Sequence, residues 1–493
     1  MLEASSPGRR PPSSGGRRFG LPPPSSDGAR QGREIPAAPE RLETNPPSLS
    51  AGSAESLVHQ LENLHDGPLV FHKVVQLGEV AVPALERLVR GPSQSIYHSR
   101  SLAVDALAAI GSTAAVQALT RSLRDSIERE PDPASLEAES VLVNHIAEHL
   151  SRFSDLEVND ALLAALRRRP YPYCAAALGL VGDPRAISLL IECLFDDTAR
   201  PAAAAALHRF GRAALAPLVE VLRAPRLVAG DEPATRVEAR VAAARLIGEC
   251  AGTDALVDAV ALPALTKALS DRQQPVRVEA ALALARCNAS LGAEAAAVLV
   301  MALDEPNWAR AQTIVEALVR LGPHAEHLII AILGVTPRSE EDRRRRLRAV
   351  EVAGHLGSPA AVAKIRYVSA SVDVRLRLAA INALSQVPAV DAGILAAFLT
   401  DRDPVARRYA LQALRRRHVL AADSATRLLG DADPDVRRLA TVSVRENLGA
   451  ALPALQRAAY GFGAPLHGWA PRLRLWWHAC ALIAAPHSRR LSL

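Results

Sequence analysis

A single phrase recurs along this chain and constrains its fold more than any other feature. It has the form A-L-x-x-(I/L/V/F)-G: ALAAIG ending at Gly111, ALGLVG at Gly182, ALHRFG at Gly211 and ALVRLG at Gly322. Degenerate copies end at Gly78, Ser154, Gly248, Asn288, Gly357, Pro388, His418 and Gly449. That makes about twelve copies, roughly 28 to 43 residues apart, and self-similarity at this period marks stacked supersecondary units. Between copies the apolar residues fall at i, i+3, i+4 and i+7, the spacing of one helix face, and no stretch sustains period-two alternation. The pattern predicts an all-α chain, an α-α superhelix of about twelve helical hairpins.

The composition agrees with helices packed closely. Hydrophobic residues make up 49% but aromatics only 3%, so the core must be built from Ala, Leu and Val. Residues 1–54 are rich in Pro, Ser, Gly and Arg (PPSSGGRR, LPPPSSDG) and are expected to be a disordered tail. The repeat array is expected over 55–463, and 464–493 as a C-terminal capping segment. Cys174, Cys193, Cys250, Cys287 and Cys480 are scattered without a C-x-x-C pair, which argues against a zinc ribbon or disulfide framework and fits a reducing cytoplasm. The N-terminus has no apolar core of the signal-peptide kind, and the apolar stretch near Leu475–Ala485 is too short to span a bilayer.

Each copy has an internal grammar. Eight and five positions before the Gly slot the residue is usually Ala, as at Ala103 and Ala106, Ala203 and Ala206, or Ala380 and Ala383. Small side chains there let neighbouring helices approach closely. Eleven positions before the slot stands an Arg: Arg100, Arg200, Arg277, Arg346, Arg377, Arg407 and Arg438. The pattern D-x-x-P-V-R-x-x-A-x-x-A-L, then G, then A-(V/I)-x-x-L-x-x-L-x-D, resembles HEAT repeats, most closely the short variety of bacterial proteins and phycobilin-lyase relatives. The resemblance covers about residues 66–463. It implies two antiparallel helices per repeat, a right-handed superhelix, the Val-Arg helix on the concave side, and a ladder between these arginines and Asp271, Asp401 or Asp431.

Six and two positions before the slot the residues are polar and i, i+4 apart, so they project from one helix face. Glu148 and Arg152, Glu316 and Arg320, Glu351 and His355, and Gln412 and Arg416 form such pairs, extended by Arg209 and Arg286. Across stacked repeats they would line a mixed-charge groove for a protein partner. The expected function is a non-catalytic, cytoplasmic scaffold or adaptor. A lyase- or hydrolase-type enzyme on the same fold is the alternative, and nucleic-acid binding a third.

Little chemistry favours the alternatives. His145-Ile146-Ala147-Glu148-His149 reads H-x-x-E-H, two histidines able to share a metal on one helix. The sequence shows no third ligand, and His149 falls in a slot other repeats fill with Ala, so a packed or flanking histidine is expected, with no metal and no cofactor. The iron-dependent hydroxylases of this fold use His-Glu dyads, and no His here is followed by Glu. No Walker loop or G-x-S-x-G elbow is present. Net charge is only +6, Arg343–Arg346 follows Glu340-Glu341-Asp342, and aromatics for base stacking are few. Trp469, Trp476 and Trp477 are expected to cap the last repeat.

Overall fold

The computed structural model describes residues 51–62, 67–91, 97–129, 136–153, 155–223, 232–251, 255–287, 292–446 and 451–453. Residues 1–50 of the expected tail and the tryptophan-bearing terminus lie outside the described residues, as do slots Ser154, Asn288 and Gly449. Among the described residues there are α-helices and short 3-10 turns, and no strand. The first half holds α1 (Ala51–Gln60), α2 (Gly67–Gln76), α3 (Val82–Val89), α4 (Tyr97–Ile110), α5 (Thr113–Glu128), α6 (Leu136–Leu150), α7 (Leu156–Arg168), α8 (Pro172–Val181), α9 (Ile187–Cys193), α10 (Arg200–Phe210), α11 (Leu215–Arg223) and α12 (Ala234–Cys250). The second holds α13 (Ala255–Ala268), α14 (Gln274–Cys287), α15 (Gly292–Met301), α16 (Trp308–Leu321), α17 (Pro323–Gly334), α18 (Glu340–Leu356), α19 (Pro359–Ser369), α20 (Val374–Gln386), α21 (Ala392–Ala396), α22 (Pro404–Arg416), α23 (Ala422–Leu428) and α24 (Pro434–Glu446).

These helices stack in two layers, in sequence order. The even-numbered helices touch in unbroken succession from α2 to α24, and each odd helix from α3 to α23 packs on the even helix that follows it. One apolar cluster runs through the stack from Val58 to Ala451. The repeated phrase is the end of an even helix. Leu107, Leu178, Leu207 and Leu318 are fully buried, four positions before the slot. The slot turns the chain with positive φ at Gly78, Gly111, Gly182, Gly211, Gly322 and Gly357. That backbone costs an L-residue roughly 1–2 kcal/mol, which selects glycine. His418 fills the same place at φ 55°, the one non-glycine positive φ among the described residues.

Small residues set the spacing of the even layer. A Cβ added to Gly179 of α8 would lie 2.5 Å from the Cβ of Ala206 in α10, and one on Gly354 of α18 would lie 2.7 Å from that of Ala383 in α20. Gly248 of α12 faces Ala283 of α14 in the same manner. Ala206, Ala283 and Ala383 occupy the slot the sequence marks as small, and the partner across the seam is a glycine.

The seams also correct the sequence register in three copies. Gly248 is a buried helical residue in the seam, three positions before the end slot, which is Ala251. Helix α6 ends at Leu150, so its slot is Ser151 and not Ser154. In the last copy Arg437, not Arg438, takes the recurrent arginine's place. Its Nη1 donates to the carbonyl of Asp431 at 2.8 Å, as Arg407 does to Asp401 and Arg277 to Asp271. Arg438 is exposed beside Asp435. The shift at Ala251 adds Arg240, eleven positions earlier, which is buried and paired with Asp271 and Glu232.

The recurrent Asp and Arg form a clamp between repeats. Asp401 accepts the Asp403 N–H at 2.8 Å, Asp403 caps α22 through the Val405 N–H at 2.7 Å, and Pro404 opens the helix. Arg377 reaches forward to Asp401 at 3.2 Å, and Arg407 to Asp431 at 2.7 Å. Each arginine also donates to backbone carbonyls of the loop before its own helix. The other copies vary this theme. Arg100 pairs with Glu139 in a buried contact and donates to the Val89 carbonyl, while the buried Arg346 donates to the Leu333 carbonyl.

Two expectations follow. Gly179→Ala forces the α8–α10 seam apart and should lower unfolding free energy by about 1–3 kcal/mol, read by urea denaturation. Asp431→Ala strips a largely buried arginine of its carboxylate and should cost about 1–3 kcal/mol. Arg438→Ala, on the exposed side, should stay within about 0.5 kcal/mol.

Candidate functional site

With the register corrected, the positions six and two before each slot form columns on one flank of the even layer. Glu316, Arg320, His355, Arg209, Arg286 and Arg416 are exposed there, with Glu351 and Gln412 half-buried. Glu148 and Arg152 are exposed but stand one step beside the columns. His145 and His149 take their place in α6, opposite Asp105 of α4. Arg245 and Glu249 join the columns from α12, Asn382 and Gln386 from α20, and Glu446 from α24.

Column residues pair with neighbouring charged groups, both across repeats and within one helix. Glu249 lies 3.0 Å from His208 and 4.0 Å from Arg286, and Arg286 is 3.8 Å from Glu279. Glu279 is buried between α12 and α16, and burial pushes its carboxyl above the usual range despite the nearby guanidinium groups of Arg286, Arg310 and Arg245. The basic run Arg343–Arg346 is engaged within the stack. Arg343 and Arg345 pair with Asp373 and Asp304, and Arg344 and Arg346 donate to the carbonyls of Asp304 and Leu333.

Two places along the flank are concave. Between α16, α18 and α20 runs a groove of about 260 Å³. Val315, Leu347 and Ala379 give it an apolar lining, Arg348, Glu351 and Asn382 add polar groups, and Trp308 stands beside it, 75% exposed. A second recess is lined by Gln412, Arg416, His418 and Glu446. The sequence reading reaches Glu351, Gln412 and Arg416 but not Trp308, because an indole at the start of α16 carries no repeat signal.

At the other end of the flank the imidazoles of His145 and His149 converge on one oxygen. Each Nε2 lies 2.9 Å from Oδ1 of Asp105, and the two rings are near perpendicular with centroids 5.0 Å apart. Burial pushes the Asp105 carboxyl up, and the hydrogen bonds from His145 and His149 overcome it and hold it well below the usual range. The bond to Asp105 raises His145. A carboxylate from the preceding even helix thus faces both histidines of the H-x-x-E-H motif, and His149 is hydrogen-bonded to it.

Known proteins share the repeat and the fold. The family model described as PBS lyase HEAT-like repeat matches residues 99–125 and 173–196, which fall on α4–α5 and α8–α9. The curated proteins contain no match to this sequence. Among solved structures, Kap121p bound to Nup53p is similar with a TM-score of 0.52 at 11% identity, over 87% of this chain and 52% of that one. Kap95p, in a structure concerned with its binding to RanGDP, is similar with a TM-score of 0.53 at 11% identity, over 89% of this chain and 68% of that one. This chain spans about half the length of the Kap121p chain. At such identity the likeness is one of fold: the chain is an α-α superhelix, with the HEAT-like repeat matched at those two stretches.

The raised Glu279 carboxyl gives a test of this flank. Folding holds the group neutral above the pH at which the unfolded chain ionises, so it costs stability at neutral pH and none in acid. Glu279→Gln should raise the melting temperature at pH 7, and the gain should vanish as pH falls through the ordinary carboxylate range, followed by calorimetry across pH.

Proposed function

We propose that this HEAT-repeat chain is a non-catalytic scaffold or adaptor that holds a protein partner along the exposed columns of its even-numbered helices. The observation that carries the reading is the α16–α18–α20 groove. An exposed indole beside an apolar recess, ringed by charged and amide groups, has the makeup of an interface anchor within a polar rim. The columns on either side carry both signs of charge, Glu249 and Arg286 on one side and Arg416 and Glu446 on the other, which suits recognition of a partner of mixed charge more than a polyanion. A stack of hairpins offers long surface and little enclosed volume, which again favours a macromolecule over a small substrate. Kap121p and Kap95p, whose fold is similar, are seen with Nup53p and RanGDP. Analogy of fold supports a protein partner here as well. No helix among the described residues is long and apolar enough to cross a membrane, and the reading places the adaptor in the cytoplasm.

The test is affinity purification of the full chain from its own cells with quantitative mass spectrometry. The double variant Trp308→Ala, Glu351→Arg should deplete the retained partner at least tenfold while leaving far-UV circular dichroism unchanged. A partner retained equally by wild type and variant, or no enrichment over a control solenoid, overturns the reading.

A further inference from the structure

We propose that Asp105, His145 and His149 form a binding site for one divalent transition-metal ion of the zinc class, bridging two consecutive repeats. The inference is independent of the partner-binding reading. It begins with spacing: His145 and His149 are one helical turn apart on α6 and present their Nε2 atoms to the same point. Asp105 arrives from α4, a different repeat, and its Oδ1 is that point. The three donor atoms all lie within 4.8 Å of one another. In a tetrahedral zinc site, bonds of about 2.0–2.2 Å place neighbouring ligand atoms about 3.3 Å apart. Each Nε2–Oδ1 separation of 2.9 Å therefore has only to open by about 0.4 Å for an ion to enter between them.

The donor chemistry selects the ion. Two imidazoles and one carboxylate suit zinc, cobalt, nickel or iron, whereas magnesium and calcium require oxygen donors throughout. The side chains are 36%, 23% and 15% exposed for Asp105, His145 and His149, so the site opens to solvent. Three protein ligands with an open side leave the fourth position to water or to a group brought by a partner. Ser101, whose Oγ is 3.5 Å from His145 Nε2, stands at the same opening. To hold the ion each imidazole turns an Nε2 lone pair towards it, so the two hydrogen bonds to Asp105 give way to metal–ligand bonds. Since the ligands come from α4 and α6, the ion acts as a clip between neighbouring hairpins.

The test is isothermal titration of the untagged full chain, stripped with chelator and desalted, with zinc chloride. One equivalent should bind, and cobalt should give the visible absorption of a tetrahedral site. Zinc should also raise the melting temperature, and magnesium should do neither. Asp105→Asn, which keeps the side-chain shape, and His149→Ala should each weaken zinc binding at least tenfold. His327→Ala, in the unrelated H-x-x-H segment of α17, should leave it unchanged. Absence of saturable zinc binding, or binding that survives undiminished in a folded Asp105→Asn chain, overturns the site.

Discussion

Everything in this fold rests on how near two even-numbered helices can come. A hairpin of five to seventeen residues per helix cannot bury its apolar face alone, and its neighbour must lie against it. Alanine and glycine in the seam make that contact possible. At Gly179, Gly248 and Gly354 the facing alanine leaves no room for a methyl group. The flank residues are then brought to within hydrogen-bonding reach of one another across repeats, and the columns, the groove and the histidine–aspartate cluster are all products of that spacing. Polar contacts follow from the seam and do not create it.

The arginine clamps show how polarity is used once the seam is set. Asp401 and Asp431 each serve three clients: an arginine from the repeat before, the backbone of their own turn, and, through the carbonyl, an arginine from the helix that follows. Such a junction leaves few polar atoms unsatisfied where loop meets helix, a place where backbone groups are otherwise orphaned. It also explains the sequence grammar residue by residue. The first Asp is the junction, the second is the helix cap, Pro begins the helix and Arg closes the loop.

Much of this was legible before any coordinates. Period, helix type, layer order and the small-residue slots follow from spacing alone, because helical periodicity records burial directly. Three registers were not legible. Glycine ends half of the even helices, yet α6 ends at Leu150 without one and the glycine of α12 sits inside the seam, so the phrase misleads where its punctuation is missing or reused. The recurrent arginine is the better marker, since Arg240 and Arg437 keep their bonds where the glycine slot fails. The shifted register at α6 had a cost: it put Glu148 and Arg152 in the columns and left out His145 and His149, which the H-x-x-E-H spacing alone had marked. Asp105 could not be paired with them from sequence distance, since forty residues separate it from His145 and only stacking joins them. Trp308 was hidden for a similar reason, as its recess is made by three helices at once.

The clamps are unequal along the chain, and this bears on how such an array changes length. Asp401 and Asp431 begin identical junctions thirty residues apart, so the cassette between them has matching ends. Copying or excising it would rejoin like to like at the Arg–Asp junction. Around α4 and α6 the junction is made by Arg100 and Glu139 and by one carboxylate shared between two histidines, a fit found at no other seam among the described residues. The array is thus modular towards one end and bespoke towards the other. Insertion or loss of a whole cassette meets a matching junction at Asp401 and Asp431, whereas at α4 and α6 it would separate partners that have no duplicate among the described residues.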